Sequence, residues 1–244
     1  MRALIIFILL LSLPAFSNSF EKANQLYQKQ DFIGAKKLYI NLLEQGFNNW
    51  ELHYNLGNCY FKTKEVAPAI LHWEKALLRN TNCEDCRYNI SIANLSTIDK
   101  IEPLPSFFLR TILQEIRGTF TSENWAILTN SFAFLALLGW LLFMGIVRQQ
   151  YKKPGMVLLL SAGIFTLISY ALANSQQNFE SRKFAVVFAP NAYIKHAPSK
   201  QSADAFILHA GTKFETLDKV ANWTKIRLAD GKIGWIQNDL FSEI

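Results

Sequence analysis

Residues 125–147 read WAILTNSFAFLALLGWLLFMGIV, and residues 156–174 read MVLLLSAGIFTLISYALAN; neither stretch contains a charged residue. About 20 apolar residues at a rise of about 1.5 Å cross a hydrocarbon layer of about 30 Å. Both runs are therefore expected to be transmembrane helices. Two helices buried in a soluble core are the alternative, which runs of this length and purity disfavour. Residues 148–155 separate them and hold Arg148, Lys152 and Lys153 ahead of Pro154 and Gly155. Proline and glycine predict a turn here, and the cations predict a cytoplasmic one. The expectation is a two-helix transmembrane hairpin that leaves the flanking regions on the same side of the membrane.

The start of the chain addresses which side. Met1 and Arg2 precede an apolar stretch from Ala3 to Leu13, then Pro14 and the small residues Ala15 and Ser17. This reads as a signal peptide over residues 1–17. Both flanking regions are then expected in the periplasm of a bacterial cytoplasmic (inner) membrane, and the dense basic turn agrees. The formal net charge of +6 gives no basic nucleic-acid face: residues 18–103 hold ten Lys/Arg and ten Asp/Glu, and residues 184–244 hold seven and six. The excess sits in the leader, the hairpin turn and the membrane flanks, which suits anionic lipid.

Residues 18–100 contain an internal repeat. Ala35 and Ala69 are 34 positions apart, as are Tyr39 and Trp73. Small residues at Ala23/Gly57 and Ala35/Ala69 allow paired helices to approach closely, while Tyr39 and Trp73 fill the space between units. The set Leu56, Gly57, Tyr60, Ala69, Trp73 and Ala76 resembles the tetratricopeptide repeat, at a period that marks such arrays. A third start at Tyr88 echoes the first helix of a unit, giving about two and a half repeats in an all-α domain. In this repeat the first helix of each unit lines a concave, peptide-binding groove. The groove residues by position are Asn24, Tyr27, Gln28, Tyr54, Asn55, Asn58, Phe61 and Tyr88; the other reading of the same residues is a solvated inner face. Asn24 and Asn55 fall where carboxylate-gripping repeats place asparagines. Phe20, Asp85 and Asn89 replace the cations of such a grip, so a terminal carboxylate is not the expected ligand.

Cys83 and Cys86 sit at a helix start as a C-x-x-C pair. A helix N-terminus lowers a thiol pKa, so a redox pair is one reading; a small structural disulfide or two incidental cysteines is the other. No histidine follows Cys86, which removes haem attachment, and the spacing supplies no four-ligand zinc set. Cys59, inside a repeat helix, is expected to pack in the core. Over residues 104–120, Phe108, Leu109, Ile112, Leu113 and Ile116 recur at helical spacing, predicting an amphipathic helix at the membrane interface or packed back on the repeats.

From residue 184 to 244 the pattern turns to short strands: Phe184–Phe188, Tyr193–Ser199, Phe206–Leu217 broken at Gly211, Trp223–Leu228 and Lys232–Ile236. Asp230-Gly231 is a hairpin signal, and the whole predicts a small all-β barrel. The Ala210-Gly211-Thr212 turn, the Asn222-Trp223 pair and Gly231-Lys232-Ile233-Gly234-Trp235 resemble bacterial SH3-like domains. Tyr193, Trp223 and Trp235 are the candidate ligand face, with core packing the competing role for the tryptophans. His196 and His209 have no ligand constellation and are expected to be surface or turn residues.

The order of leader, repeats, the segment Asp99-Lys100-Ile101-Glu102-Pro103-Leu104-Pro105, hairpin and SH3-like tail is similar to the BatE family of the Bacteroides aerotolerance operon group, as is Ser181-Arg182-Lys183…Val187-Phe188-Ala189-Pro190. The resemblance implies membrane-anchored von Willebrand A-type proteins, a further membrane protein and a MoxR-type ATPase as partners in a system linked to stress tolerance. No nucleophile–base set, phosphate loop or metal motif is visible. The expected function is a noncatalytic, cofactor-free scaffold for protein–protein interaction. A thiol-redox protein and a peptidoglycan-binding anchor are the alternatives.

Overall fold

The computed structural model describes residues 19–104, 108–144 and 148–244; the expected signal peptide and the last residues of the first apolar run lie outside them. The chain forms two compact units. One comprises the residues up to Leu104 together with Lys183–Ile244, the other Pro105–Arg182.

The first unit begins with five helices: α1 (residues 19–28), α2 (Phe32–Glu44), α3 (Trp50–Lys62), α4 (Val66–Arg79) and α5 (Glu84–Ser96). The period of 34 is visible in the backbone. Gln30 and Lys64 end the first helix of their units at φ 63° and 66°, and Asp31 and Glu65 N–H groups close the turns onto Leu26 and Tyr60 at 2.9 Å. A β-carbon strains this left-handed position by about 1–2 kcal/mol. Lys64→Gly is therefore expected to stabilise the array by about 0.5–1 kcal/mol in denaturant unfolding. The Asp31 carboxylate caps α2 by accepting from Gly34 N–H, and the Asn49 carbonyl caps α3 by accepting from Leu52 N–H, both at 2.9 Å.

Packing follows the small-residue pattern. Ala23, Ala35, Tyr39, Leu42, Leu52, Leu56 and Cys59 are fully buried together, and burial pushes the Cys59 thiol up to about 12. In the next unit a β-carbon on Gly57 would lie 2.7 Å from the Trp73 ring, so glycine here is what admits the indole.

The same unit ends in a seven-stranded antiparallel sheet: β1 (Lys183–Val187), β2 (Asn191–Lys195), β3 (Asp204–His209), β4 (Lys213–Val220), β5 (Trp223–Arg227), β6 (Ile233–Gln237) and β7 (Phe241–Glu243). The strand order is β3-β2-β6-β5-β4-β1-β7. Alternation along the strands sends Ala185, Val187, Ala192, Ile194, Leu208, Phe214, Ile226 and Ile236 into one cluster around which the sheet curls. Gly211 and Gly231 turn at φ 94° and 89°. The sequence reading omitted β7, three residues that pair with β1.

The second unit contains α6 (Phe108–Gly118), α7 (Ser122–Phe143) and α8 (Lys152–Glu180). Both α7 and α8 are long and apolar enough to cross a membrane, with 6% and 11% of their apolar windows buried. They pack antiparallel through small residues. A β-carbon on Gly139 would meet the Leu159 backbone at 2.6 Å, and one on Gly155 the Phe143 backbone at 2.7 Å. Thr129 Oγ1 also donates to Ser169 Oγ at 3.1 Å. One local expectation is corrected: Pro154 and Gly155 do not end a helix. A 3₁₀ turn at Gln149–Tyr151 precedes α8, and Pro154 lies in the first turn of that helix. The first N–H groups of a helix have no intrahelical acceptor, so proline loses nothing there.

Candidate functional site

Two faces of the first unit carry the predicted site residues. In the repeat array, Asn24 Oδ1 accepts from Tyr39 Oη–H at 2.6 Å and Asn55 Nδ2–H at 3.1 Å. Each residue has a counterpart 34 positions on: Asn58 Oδ1 accepts from Trp73 Nε1–H and Asn89 Nδ2–H, both at 3.0 Å. Each asparagine thus ties the first helix of its unit to the second helix and to the first helix of the next. Asn24, Asn55 and Asn58 are half-buried and bonded within the array. Tyr27, Tyr54 and Phe61 are half-buried against Phe32, Trp50 and Trp73, and burial raises the Tyr27 hydroxyl above its ordinary value. Gln28 is exposed, and Tyr88 is 66% exposed. The open surface of the predicted groove is therefore led by Gln28 and Tyr88, with the amides beneath as its frame.

The second face is on the sheet. A cleft of about 460 Å³ is lined by Asn191, Tyr193, Lys195, Lys200, Asp204, Trp223, Gln237 and Leu240. Two predicted residues, Tyr193 and Trp223, meet here. Tyr193 is 52% exposed and Trp223 only 8%, so the tryptophan is the fixed wall and the tyrosine the open one. The loop before Trp223 is pinned by Asn238, whose N–H donates to Asn222 O at 3.0 Å and whose Oδ1 accepts from Thr224 Oγ1–H at 2.7 Å. Lys195 and Asp204, opposed on β2 and β3, form an ion pair at 2.7 Å in the lining of the cleft. Trp235 is not part of the lining. It stands opposite Lys195 in the β2–β6 ladder, with Lys225 Nζ 6.0 Å from its ring centre. The alternation of β2 put Asn191, Tyr193 and Lys195 on one face, so their grouping was readable; Asp204, Gln237 and Leu240 join them only through strand pairing and the turn after β6.

The two faces belong to one body. Asp99, just past α5, accepts from His209 N–H at 2.7 Å, from Thr212 Oγ1–H at 2.5 Å and from His209 Nδ1 at 2.8 Å. Burial alone would raise this carboxyl, but the bonds from Thr212 and His209 prevail and hold it below the usual carboxylate range. His209, expected to be a surface or turn residue, is half-buried at the end of β3, where it is also the partner of Asp99. Lys213 reaches Glu74 of α4 at 2.7 Å. A β-carbon on Gly211 would lie 2.8 Å from Thr97 Cγ2, and Val186 of β1 is buried in the same cluster as Ile70, Trp73, Cys83 and Cys86. Ile101 packs on the core of the sheet, and Leu104 N–H donates to Ala229 O at 3.4 Å.

Cys83 and Cys86 are disulfide-bonded, with Cα atoms 5.3 Å apart. Cys83 also caps α5, its sulfur accepting from Cys86 N–H at 3.2 Å. Exposures of 6% and 0% place the bond within the cluster that the sheet covers, which fits a structural bridge better than a redox pair needing access by another thiol. Replacing both cysteines by serine is expected to lower unfolding stability by about 2–3 kcal/mol, a loss that chemical denaturation measures.

Residues 50–83 match the tetratricopeptide repeat family, and residues 190–242 match the bacterial SH3 domain family. No curated protein matches the chain. The chain thus joins a helical repeat and a bacterial SH3 domain in one compact unit, and it carries two helices of membrane-crossing length. Both domain types point to protein interaction or cell-wall binding.

Proposed function

We propose that this protein is a noncatalytic interaction scaffold, anchored in a bacterial cytoplasmic membrane by the α7–α8 hairpin, with the repeat array and the SH3 domain outside the cytoplasm. The observation that carries this reading is the Asp99 seam: two binding domains are fused into one body, in a chain that also holds two apolar helices. Fixing two modules together makes the second contact intramolecular, so weak contacts add. The resemblance to the BatE family makes a von Willebrand A-type membrane protein the first partner to test, within a Bat-type envelope complex. Photo-crosslinking from position 88 in intact cells, followed by mass spectrometry, tests it: a specific membrane-protein adduct supports the scaffold, and no specific adduct from either position 88 or position 193 ends it.

The cleft supports a second reading, binding of cell-wall material, because an aromatic wall with amides and charges at its rim suits a peptide or amino-sugar ligand. Tyr193→Ala is expected to weaken whatever the cleft holds by roughly 10- to 100-fold, the scale of one aromatic contact. Cosedimentation with purified sacculi distinguishes the readings: a Tyr193-dependent pellet favours the cell wall, and no pellet leaves the protein-partner reading.

A further inference from the structure

We propose that the open face of α5 docks an amphipathic helix of a partner protein, which completes the third repeat unit that this chain begins and leaves unfinished. This rests on the scaffold reading above and names the chemistry of the partner at Tyr88. Helix α5 is the first helix of that unit: Glu84–Ser96 lies 34 positions after Trp50–Lys62 of α3 at both ends. In the two complete units a second helix follows and covers one face of the first. Trp73 of α4 donates to Asn58 Oδ1 at 3.0 Å, packs on Phe61 with ring centres 5.5 Å apart and fills the space over Gly57. Tyr39 of α2 donates to Asn24 Oδ1 in the same way at 2.6 Å. The equivalent places on α5 are Ser91, Ile92 and Leu95, with Tyr88 one turn earlier. All four are exposed, Ile92 to 36% and Leu95 to 75%.

The chain does not supply the missing helix. Residues 100–104, equivalent to the start of α4, are not helical, and Leu104 N–H donates instead to Ala229 O of the sheet. Pro105 would fall in the second turn of such a helix, where its missing N–H breaks the ladder. Tyr88, Ser91, Ile92 and Leu95 follow at i, i+3, i+4 and i+7, the spacing at which one helix reads another. Two replacements define the occupant. Ile92 stands where Asn24 and Asn58 accept from a phenol and an indole, so the incoming side chain has no polar group to satisfy. Ser91 stands where a β-carbon on Gly57 would lie 2.7 Å from the Trp73 ring, so that side chain is also smaller than tryptophan. Both point to leucine, isoleucine or valine at the centre of the docked helix. Charge fixes its direction. The second helix of a unit runs antiparallel to the first: Arg79, in the last turn of α4, donates to Asn48 O beside the start of α3. Glu84 and Asp85 are exposed in the first turn of α5, with no ion-pair partner among the described residues. The docked helix therefore carries lysine or arginine in its last turn, where a cation also suits its dipole.

Photo-crosslinking of the full chain in intact cells from position 95, with sequencing of the joined peptides by mass spectrometry, tests this. The expected adduct is a segment of another protein with aliphatic residues at helical spacing and lysine or arginine at its C-terminal end. Ile92→Glu is expected to lower the yield about tenfold or more, because it sets a charge where an aliphatic contact is buried. Glu84→Lys/Asp85→Lys is expected to lower it about threefold, and exchanging the partner's last-turn cations for glutamate to restore it. Far-ultraviolet circular dichroism checks folding, and the charge exchange reads the face without touching its apolar stripe. An adduct with a second copy, with α6 of the same chain or with a segment lacking that pattern would overturn the site. So would no adduct from position 95, or a yield that Ile92→Glu leaves unchanged. If position 95 fails while position 88 or 193 still gives a specific membrane-protein adduct, the scaffold reading stands and the helix site alone falls.

Discussion

Asp99→Ala is expected to lower the stability of the repeat–SH3 unit by about 3–5 kcal/mol, the scale for truncating one partner of a buried, charged hydrogen-bond set. The carboxylate accepts from His209 twice and from Thr212 once, and its side chain is only 14% exposed. Removing it strands a backbone N–H and a hydroxyl where alanine offers no acceptor. The loss is also expected to change the form of the transition. Wild-type chain should melt the helices and the sheet together, because Val186 lies in the repeat core and Ile101 in the sheet core. In the variant the two parts should separate into an α transition and a β transition, which far- and near-ultraviolet circular dichroism resolve. Asp99→Asn keeps the shape and two acceptor positions and should lose less than half as much. A single unchanged transition in Asp99→Ala would show that the apolar contacts alone weld the two domains.

That seam was the part of the molecule least legible in the sequence. The repeat announced itself, because Ala35/Ala69 and Tyr39/Trp73 share a fixed spacing, and the hairpin did, because charge is missing over two long runs. The strands followed from alternation and from Gly211 and Asp230-Gly231. Asp99 and His209 are 110 positions apart, and no period or composition marks a contact of that kind. The same limit hid half of the cleft. Tyr193 and Trp223 were singled out as aromatics, but Asp204, Gln237 and Leu240 enter through strand order, which local pattern does not specify. The misread turn at Pro154 has a different cause. Proline stops a helix from within and starts one from its first turn, and the residue alone does not say which.

The asparagines show how a binding motif and a packing motif share one residue type. By position Asn24 and Asn55 belong to a ligand grip. In the fold, Asn24 with Tyr39 and Asn55, and Asn58 with Trp73 and Asn89, form two equivalent knots one repeat apart. The polar groups of the inner face are spent on holding successive helices in register, so recognition falls to the exposed side chains that remain. That argues for a partner read through Tyr88 and neighbouring surface rather than through a buried carboxylate.

Acidification from pH 7 to pH 5 is expected to cost the repeat array roughly 2–4 kcal/mol, through two histidines. His53 of α3 and His72 of α4 face each other with Nδ1 atoms 2.9 Å apart, and His53 Nε2 lies 2.7 Å from Asn48 Oδ1. With His53 Nε2–H donating to Asn48, His53 Nδ1 is the acceptor for His72 Nδ1–H, and both rings are neutral. Burial is the first cause holding them so, lowering His53 to about 4 and His72 to about 3; Arg79 and Lys75 add repulsion to both. Tyr60 stacks on His72 at 5.4 Å, which leaves water little access to an imidazolium. The folded pKa values lie below the unfolded value of about 6.5, so the unfolded chain takes up protons first. Stability is complete above about pH 6.5 and falls as pH drops toward 4, levelling off only below the folded values. The Asp99 carboxyl acts in the same direction, but it is depressed from an already acidic value, so its loss begins below the histidine window. Urea unfolding across pH 5–8 therefore isolates the pair. The wild-type midpoint should fall steadily below pH 6.5, and His53→Gln/His72→Phe should flatten that limb even if it lowers stability at pH 7. A wild-type curve flat from pH 7 to pH 5 would mean that the rings find water or a counter-charge as they protonate, and that the stack does not hold them neutral.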